Sequence, residues 1–159
     1  MLDKMEQQKY MRAALFEADQ AAQLGEVPIG CVIVYQGQII GRGHNLREHS
    51  QDATFHAEML AIEEANAFLH SWRLEKAQLF VTLEPCPMCS GAIINARIAE
   101  VYYGAADPKA GTAGSLLNLL TDQRFNHQAQ VTAGVLEAEA AERLRSFFRK
   151  IRQKKRKTK

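Results

Sequence analysis

The sequence predicts an α/β sandwich, with a mixed five-stranded sheet and helices on both faces. Two patterns predict it. Short apolar runs rich in Val, Ile and Tyr recur along the chain, and longer segments between them carry apolar residues at helical spacing. Strands that alternate with helices place helices on both faces of a sheet. Composition agrees, since 159 residues at 47% hydrophobic suffice for one domain with one core. No internal repeat and no Gly/Ser or Pro-rich linker interrupts it.

The elements follow in order. Tyr10, Met11, Ala14, Leu15, Ala18, Ala21, Ala22 and Leu24 recur at helical spacing, which predicts a first helix over 4–24, ended by Gly25. CVIVY (31–35) and QIIGRG (38–43) flank Gln36-Gly37 and read as a β-hairpin. Residues 44–54 read as a polar loop, and 56–69 as a second helix. AQLFVTL (77–83) is a continuous apolar strand of the kind buried on both faces. Glu84 precedes a proline and is expected extended, and Pro87 suits a first helical position, so a helix is expected to begin at or near Cys86. AEVYYGA (99–105) is the fourth strand. A Gly/Ala-rich loop with a short helix around 115–121 is expected next, then a fifth strand over 129–136. A last helix from near Glu137 runs into the C-terminal segment.

Charge is segregated. All 18 acidic residues lie in 1–148 with 12 of the 20 Lys and Arg, giving that part −6, whereas RKIRQKKRKTK (149–159) holds eight basic residues and no acidic one. Such a block is either a solubilising arm or one drawn to nucleic acid. The N-terminal MLDKMEQQKY is charged where a signal peptide needs an apolar run, and no stretch approaches the roughly 18 apolar residues of a membrane span. A cytoplasmic chain is the expectation. Three cysteines, an odd and small number, argue against a disulfide framework and for metal or redox chemistry.

Two segments carry that chemistry: His56-Ala57-Glu58 and Pro85-Cys86-Pro87-Met88-Cys89. Cysteines at i and i+3 of a helix start lie on one face, where the positive end of the helix dipole favours thiolate. Thiolates with an imidazole suit zinc better than magnesium or calcium. Three protein ligands leave a position for water, as catalytic zinc requires; a fourth from Cys31, His44 or His49 would make the site structural. Glu58 poses a geometric question, because residues two apart in a helix point about 200° apart. His56 and Glu58 meet only if the helix begins there. Glu58 would then be a general base, and otherwise a glutamate that interacts with the helix dipole. H-x-E followed by P-C-x-x-C is the signature of zinc nucleobase deaminases.

The sequence resembles the bacterial-type tRNA-specific adenosine deaminases from about residue 10 to 151. The resemblance rests on EVPIGCVIV (26–34), GHN (43–45), HAEMLAI (56–62), WRL (72–74), LFVTLEPCPMCSGAI (79–93), GAADPKAGTAGS (104–115), NH (126–127) and FFR (147–149). It implies a cytidine deaminase-like three-layer α/β/α sandwich, usually a homodimer. The implied activity is deamination of adenosine to inosine at the wobble position of a tRNA anticodon, by zinc-activated water, with no redox or organic cofactor. By this resemblance His56, Cys86 and Cys89 hold one zinc ion per chain, and Glu58 shuttles the protons. Asn45 binds the base, and Val27, Pro28 and Leu83 line its pocket. Asp107 and Lys109 lie near the neighbouring nucleotides, and Asn126, His127, Phe148 and Arg149 touch the anticodon loop. Pro87 departs from the aliphatic residue frequent in relatives. The deaminase domain is expected over 1–151, with a basic tail, 152–159, on tRNA phosphates. Three rivals stay open at this point: a deaminase of free guanine, cytosine or a nucleoside with the same zinc core, a non-catalytic zinc-stabilised RNA-binding module, and a thiol redox protein.

Overall fold

Asp3 starts the first helix. Its carboxylate accepts the Glu6 amide at 2.9 Å, and the Glu6 side chain accepts the Asp3 amide at 3.2 Å, a reciprocal cap on α1 (Lys4–Gln23). A computed structural model describes residues 1–158 of the chain. β1 (Gly30–Tyr35) and β2 (Gln38–His44) form the expected hairpin. Gln36 (φ 51°) and Gly37 (φ 76°) both take positive φ, as a two-residue turn matched to strand twist requires. A short helix, α2 (Arg47–Ser50), interrupts the loop that follows. Next come α3 (Ala57–Leu69), β3 (Gln78–Leu83), α4 (Pro87–Ala96), β4 (Glu100–Ala105), β5 (Gln130–Thr132) and α5 (Glu137–Lys157).

The sheet runs β2-β1-β3-β4-β5. β1 is antiparallel to both β2 and β3, while β3, β4 and β5 are parallel. Alternation along each strand feeds two cores. Cys31, Ile33, Leu79, Val81 and Val101 face α3 and α4, meeting Ala57, Ala61, Ile62, Ile93 and Ile94. Val32, Val34, Phe80 and Tyr102 face α1 and α5, meeting Tyr10, Met11, Leu15 and Ala140. Phe80 stacks on Tyr102 with centroids 4.6 Å apart. The chain is a three-layer α/β/α sandwich with a mixed five-stranded sheet.

The α3 helix rides on the backbone of β2. A Cβ at Gly43 would fall on the Ala57 carbonyl, so glycine is needed where the helix begins. This close approach fixes the height of α3 above the sheet, and with it the position of His56.

Three local expectations are corrected. The loop 44–54 holds α2. The short helix around 115–121 is absent; Ala113 and Asn118 form an isolated antiparallel bridge, and the Leu119 amide donates to the Thr112 carbonyl. Those amides are engaged elsewhere and cannot form a helical ladder. The fifth strand keeps only three residues, because the chain turns at Gly134 (φ 79°) and the Val135 amide bonds Tyr103. The basic segment continues α5 as helix to Lys157, and Lys159 lies outside the described residues. No described helix is long and apolar enough to cross a membrane.

Candidate metal centre and substrate cavity

Two helices aim their N-termini at one point. After β3 the chain stays extended through Cys86 (φ −78°, ψ 176°), the residue just before α4, and Pro87 opens the helix. Cys89 follows two residues later, inside the first turn. His56 holds the same place before α3, also extended (φ −85°, ψ 155°). Its Nδ1 lies 3.5 Å from the Cys86 sulfur and 3.5 Å from the Cys89 sulfur. The three donor atoms lie within 4.8 Å of one another, and among the described residues no fourth His, Cys, Asp or Glu joins them. Tetrahedral zinc, with Zn–S about 2.3 Å and Zn–N about 2.05 Å, needs N and S about 3.6 Å apart. The donor set fits a metal in both spacing and chemistry.

The candidate fourth ligands are occupied elsewhere. Cys31 is fully buried in the core under α3, and burial raises its thiol well above the usual value. His44 Nδ1 lies 3.1 Å from Glu17, and His49 Nδ1 lies 3.1 Å from Glu26. Within the cluster, the bond from Cys89 pushes the Cys86 thiol down to about 4, with His56 adding to it against the effect of burial. Cys89, bonded to that sulfur and buried, is raised, and His56 is raised chiefly by its bond to Cys86.

Glu58 reaches the same place because His56 lies outside the helix. The 200° separation applies only between two helical residues, and here the first is the extended residue before the helix. Glu58 is 4% exposed, and burial raises its carboxyl to about 7. Its own backbone amide and the Cys89 thiol bond the carboxylate and act against burial, without cancelling it.

His56, Glu58 and Cys86 all open onto a cavity of about 460 Å³ beyond the carboxyl ends of β3 and β4. Val27, Asn45, Leu83, Asp107, Lys109 and Phe148 line it, six of the ten residues expected to meet substrate. Asn45 is braced there, its amide nitrogen donating to the Val27 carbonyl at 3.3 Å and its oxygen accepting the Arg47 amide at 3.2 Å. Pro28 lies instead in a second cavity of about 320 Å³ with Asp19, Arg143 and Phe147. Asn126 is exposed, and His127 Nε2 lies 2.7 Å from the Ile98 carbonyl, just before β4 begins; neither reaches the cavity. Arg149 is exposed on α5, 3.9 Å from Glu142.

Sequence reasoning missed four features of this site. Arg47 and Leu144 line the cavity with no motif to single them out. Two buried carboxylates brace its walls. Glu26, 1% exposed, accepts the amides of Glu48 and His49 and so holds α2. Glu84, 2% exposed, accepts the amides of Asp107, Ala113 and Ser115 and the Ser115 hydroxyl. Burial raises both carboxyls, but the bonds they accept outweigh it, from His49 and Glu48 for the one and from Ser115, Asp107 and Ala113 for the other; both end below the ordinary value. The signal was present, since each sits in a segment that carries the resemblance, but their partners lie 22 to 31 residues away.

Known proteins bear on this geometry. The MafB19-like deaminase family matches residues 5–152. The tRNA-specific adenosine deaminase of Bacillus subtilis is 56% identical over 146 residues, covering 92% of this chain and 91% of that protein. A solved structure from work on A-to-I editing by tRNA:A34 deaminases at the wobble position of transfer RNA superposes with a TM-score of 0.82 at 43% identity, over 86% of this chain and 99% of that one. A guanine deaminase from Bacillus subtilis is more distant, with a TM-score of 0.61 and 39% identity, over 67% of this chain and 69% of that one. A chain with this cluster, this cavity and this degree of identity belongs to the MafB19-like deaminases and, within them, to the tRNA-specific adenosine deaminase family.

Proposed function

We propose that this protein deaminates adenosine to inosine at the wobble position of a tRNA anticodon, with His56, Cys86 and Cys89 holding one zinc ion and Glu58 moving the protons. The observation that carries the reading is the three-donor cluster that opens, together with Glu58, onto a single cavity. The identity to a named tRNA-specific adenosine deaminase over 92% of the chain supports the substrate. Bound zinc would supply the Lewis acidity that makes water nucleophilic near neutral pH. Glu58 accepts a proton from the water that attacks C6 and passes it to ring N1, then takes the proton of the new C6 hydroxyl and delivers it to the amine, which departs as ammonia and leaves a carbonyl at C6. Asn45, between Val27 and Arg47, holds the base edge, and Val27 and Leu83 pack against its faces. Asp107, Lys109 and Phe148 receive the flanking nucleotides at the rim. An anticodon loop suits such a cavity, because its bases are already unstacked and extrusion costs less.

The same reading has Asn126, His127 and Arg149 meeting the anticodon loop outside the cavity, a homodimer in the cytoplasm, and a deaminase domain over 1–151 followed by the basic tail 152–159. Incubating the purified protein with an anticodon stem-loop and with free adenosine, guanine and cytosine, then assaying for inosine and for each deaminated base, tests the substrate. Turnover of the stem-loop alone is expected. Turnover of a free base with an untouched stem-loop would replace the reading by the free-base rival.

The tail has its own test. Deleting 152–159 removes six basic residues. The dependence of log affinity on log salt should flatten, by up to about 4 if all six contact phosphates at the single-strand coefficient of about 0.7 each. Filter binding of the stem-loop at several salt concentrations measures this, and an unchanged slope would remove the tail from the RNA surface.

A further inference from the structure

We infer that Glu84 is a positioning residue that joins the metal motif to the substrate rim and so sets affinity for the RNA loop; this rests on the function proposed above. The rim is the segment 106–115, which brings Asp107 and Lys109 to the cavity mouth. It has no helix or strand of its own apart from one isolated bridge, so its shape comes from bonds to other segments. Glu84 supplies the largest share of them. One carboxylate oxygen accepts the Asp107 amide at 3.0 Å and the Ser115 hydroxyl, and the other accepts the amides of Ala113 and Ser115 at 3.0 Å each. Those amides span the whole rim, so one side chain fixes both of its ends. Asp107 in turn accepts the amides of Lys109 and Ala110, which passes the constraint to Lys109.

No Lys or Arg pairs with Glu84 among the described residues, although it is buried. A buried carboxylate without a cation persists only if every lone pair is used, and here the rim backbone uses them. Gly111 fits the same account, because a Cβ there would land on the Glu84 carboxylate. The rim is stitched to the metal motif a second time. The Thr112 amide donates to the Pro85 carbonyl at 2.9 Å, and its hydroxyl bonds Ser90 at 2.8 Å. Segment 84–90 therefore carries both sulfur donors and the anchor of the rim. Asp107 and Lys109 are held at a fixed place relative to Cys86 and Cys89, which a loop free to move could not provide.

Glu84→Gln tests this in the zinc-loaded full chain. The amide group of Gln cannot accept, so at least one rim amide loses its acceptor in either orientation. KM for the anticodon stem-loop and its Kd by fluorescence anisotropy should both rise at least tenfold, with kcat falling less than threefold and one zinc retained per chain. Amide exchange in 106–115 should quicken while exchange in α3 stays as it was. Ser115→Ala removes a single donor and should shift KM about threefold in the same direction. If Glu84→Gln does not fold, Ser115→Ala decides alone, and an unchanged KM overturns the inference. So does a loss that lies in kcat with zinc released, since Glu84 would then act on the metal. If the wild-type chain does not deaminate the stem-loop, the functional reading has failed. The exchange comparison still tests the joint, and unaltered exchange in 106–115 overturns it.

Discussion

Glu58→Ala abolishes deamination while the chain keeps one zinc ion, and Glu58→Gln behaves the same way. The expected loss in kcat is at least about 10⁴-fold, the upper end for one proton-transfer group, because the same carboxylate must serve the attacking water, the ring nitrogen and the leaving amine. The geometry leaves no substitute. His56 is engaged with the two sulfurs, Asp107 with two rim amides, and Asn45 with the backbone on either side. Gln keeps the shape and burial of Glu58 but cannot accept a proton, so its failure separates proton transfer from packing. Neither variant should lose stability, since a carboxylate 4% exposed is costly to bury and both replacements are neutral. Inosine formation on the stem-loop and zinc content per chain are the two measurements. Activity retained in Glu58→Gln would end the proton-shuttle assignment. Zinc lost from it would move Glu58 into the ligand set.

The legible parts of the site were those encoded in neighbouring residues. Pro87 between two cysteines announces a helix that begins at or near Cys86, and α4 begins at Pro87 with Cys86 as the extended residue before it. The polar loop before His56 allowed the one arrangement in which His56 and Glu58 converge, and the extended backbone at His56 realises it. The continuous apolar run of 77–83 announced a strand buried on both faces, and Leu79 and Val81 enter one core while Phe80 enters the other. What stayed hidden depends on partners distant in sequence. The α2 helix is held by Glu26 from 22 and 23 residues away, and the rim over 107–115 by Glu84 from 23 to 31 residues away. Local propensity cannot report a carboxylate that arrives from another segment. The residues carried over by resemblance divide the same way. Asn45, Leu83 and Asp107, each beside the end of a strand, reach the cavity, and Phe148 reaches it from α5, whereas His127 sits by the other end of β4.

Cys89→Ala releases the metal, abolishes activity and lowers thermal stability. Cys89 is fully buried in the first turn of α4, and its sulfur and that of Cys86 meet one imidazole carried before α3. A metal on these three donors is a cross-link between two helices on one face of the sheet. Removing one donor leaves two, too few to compete with solvent for the ion. The domain keeps a core of its own, so the loss stops short of the collapse seen in metal-only folds. A ligand at about 1,000 times its Kd stabilises by about 4 kcal/mol, which for a chain of this size corresponds to roughly 10 °C in Tm. Chelation of the wild-type chain should therefore lower Tm by about that amount, and added zinc should restore both Tm and activity. Cys89→Ala should show neither response at the same zinc concentration. The comparison also separates the remaining rivals. A redox pair would respond to oxidant and reductant but not to chelator, and a structural module would recover Tm on adding zinc without producing any inosine. A Tm indifferent to chelation would mean that the three donors do not hold a metal, and the water-activating role assigned to this cluster would fall with it.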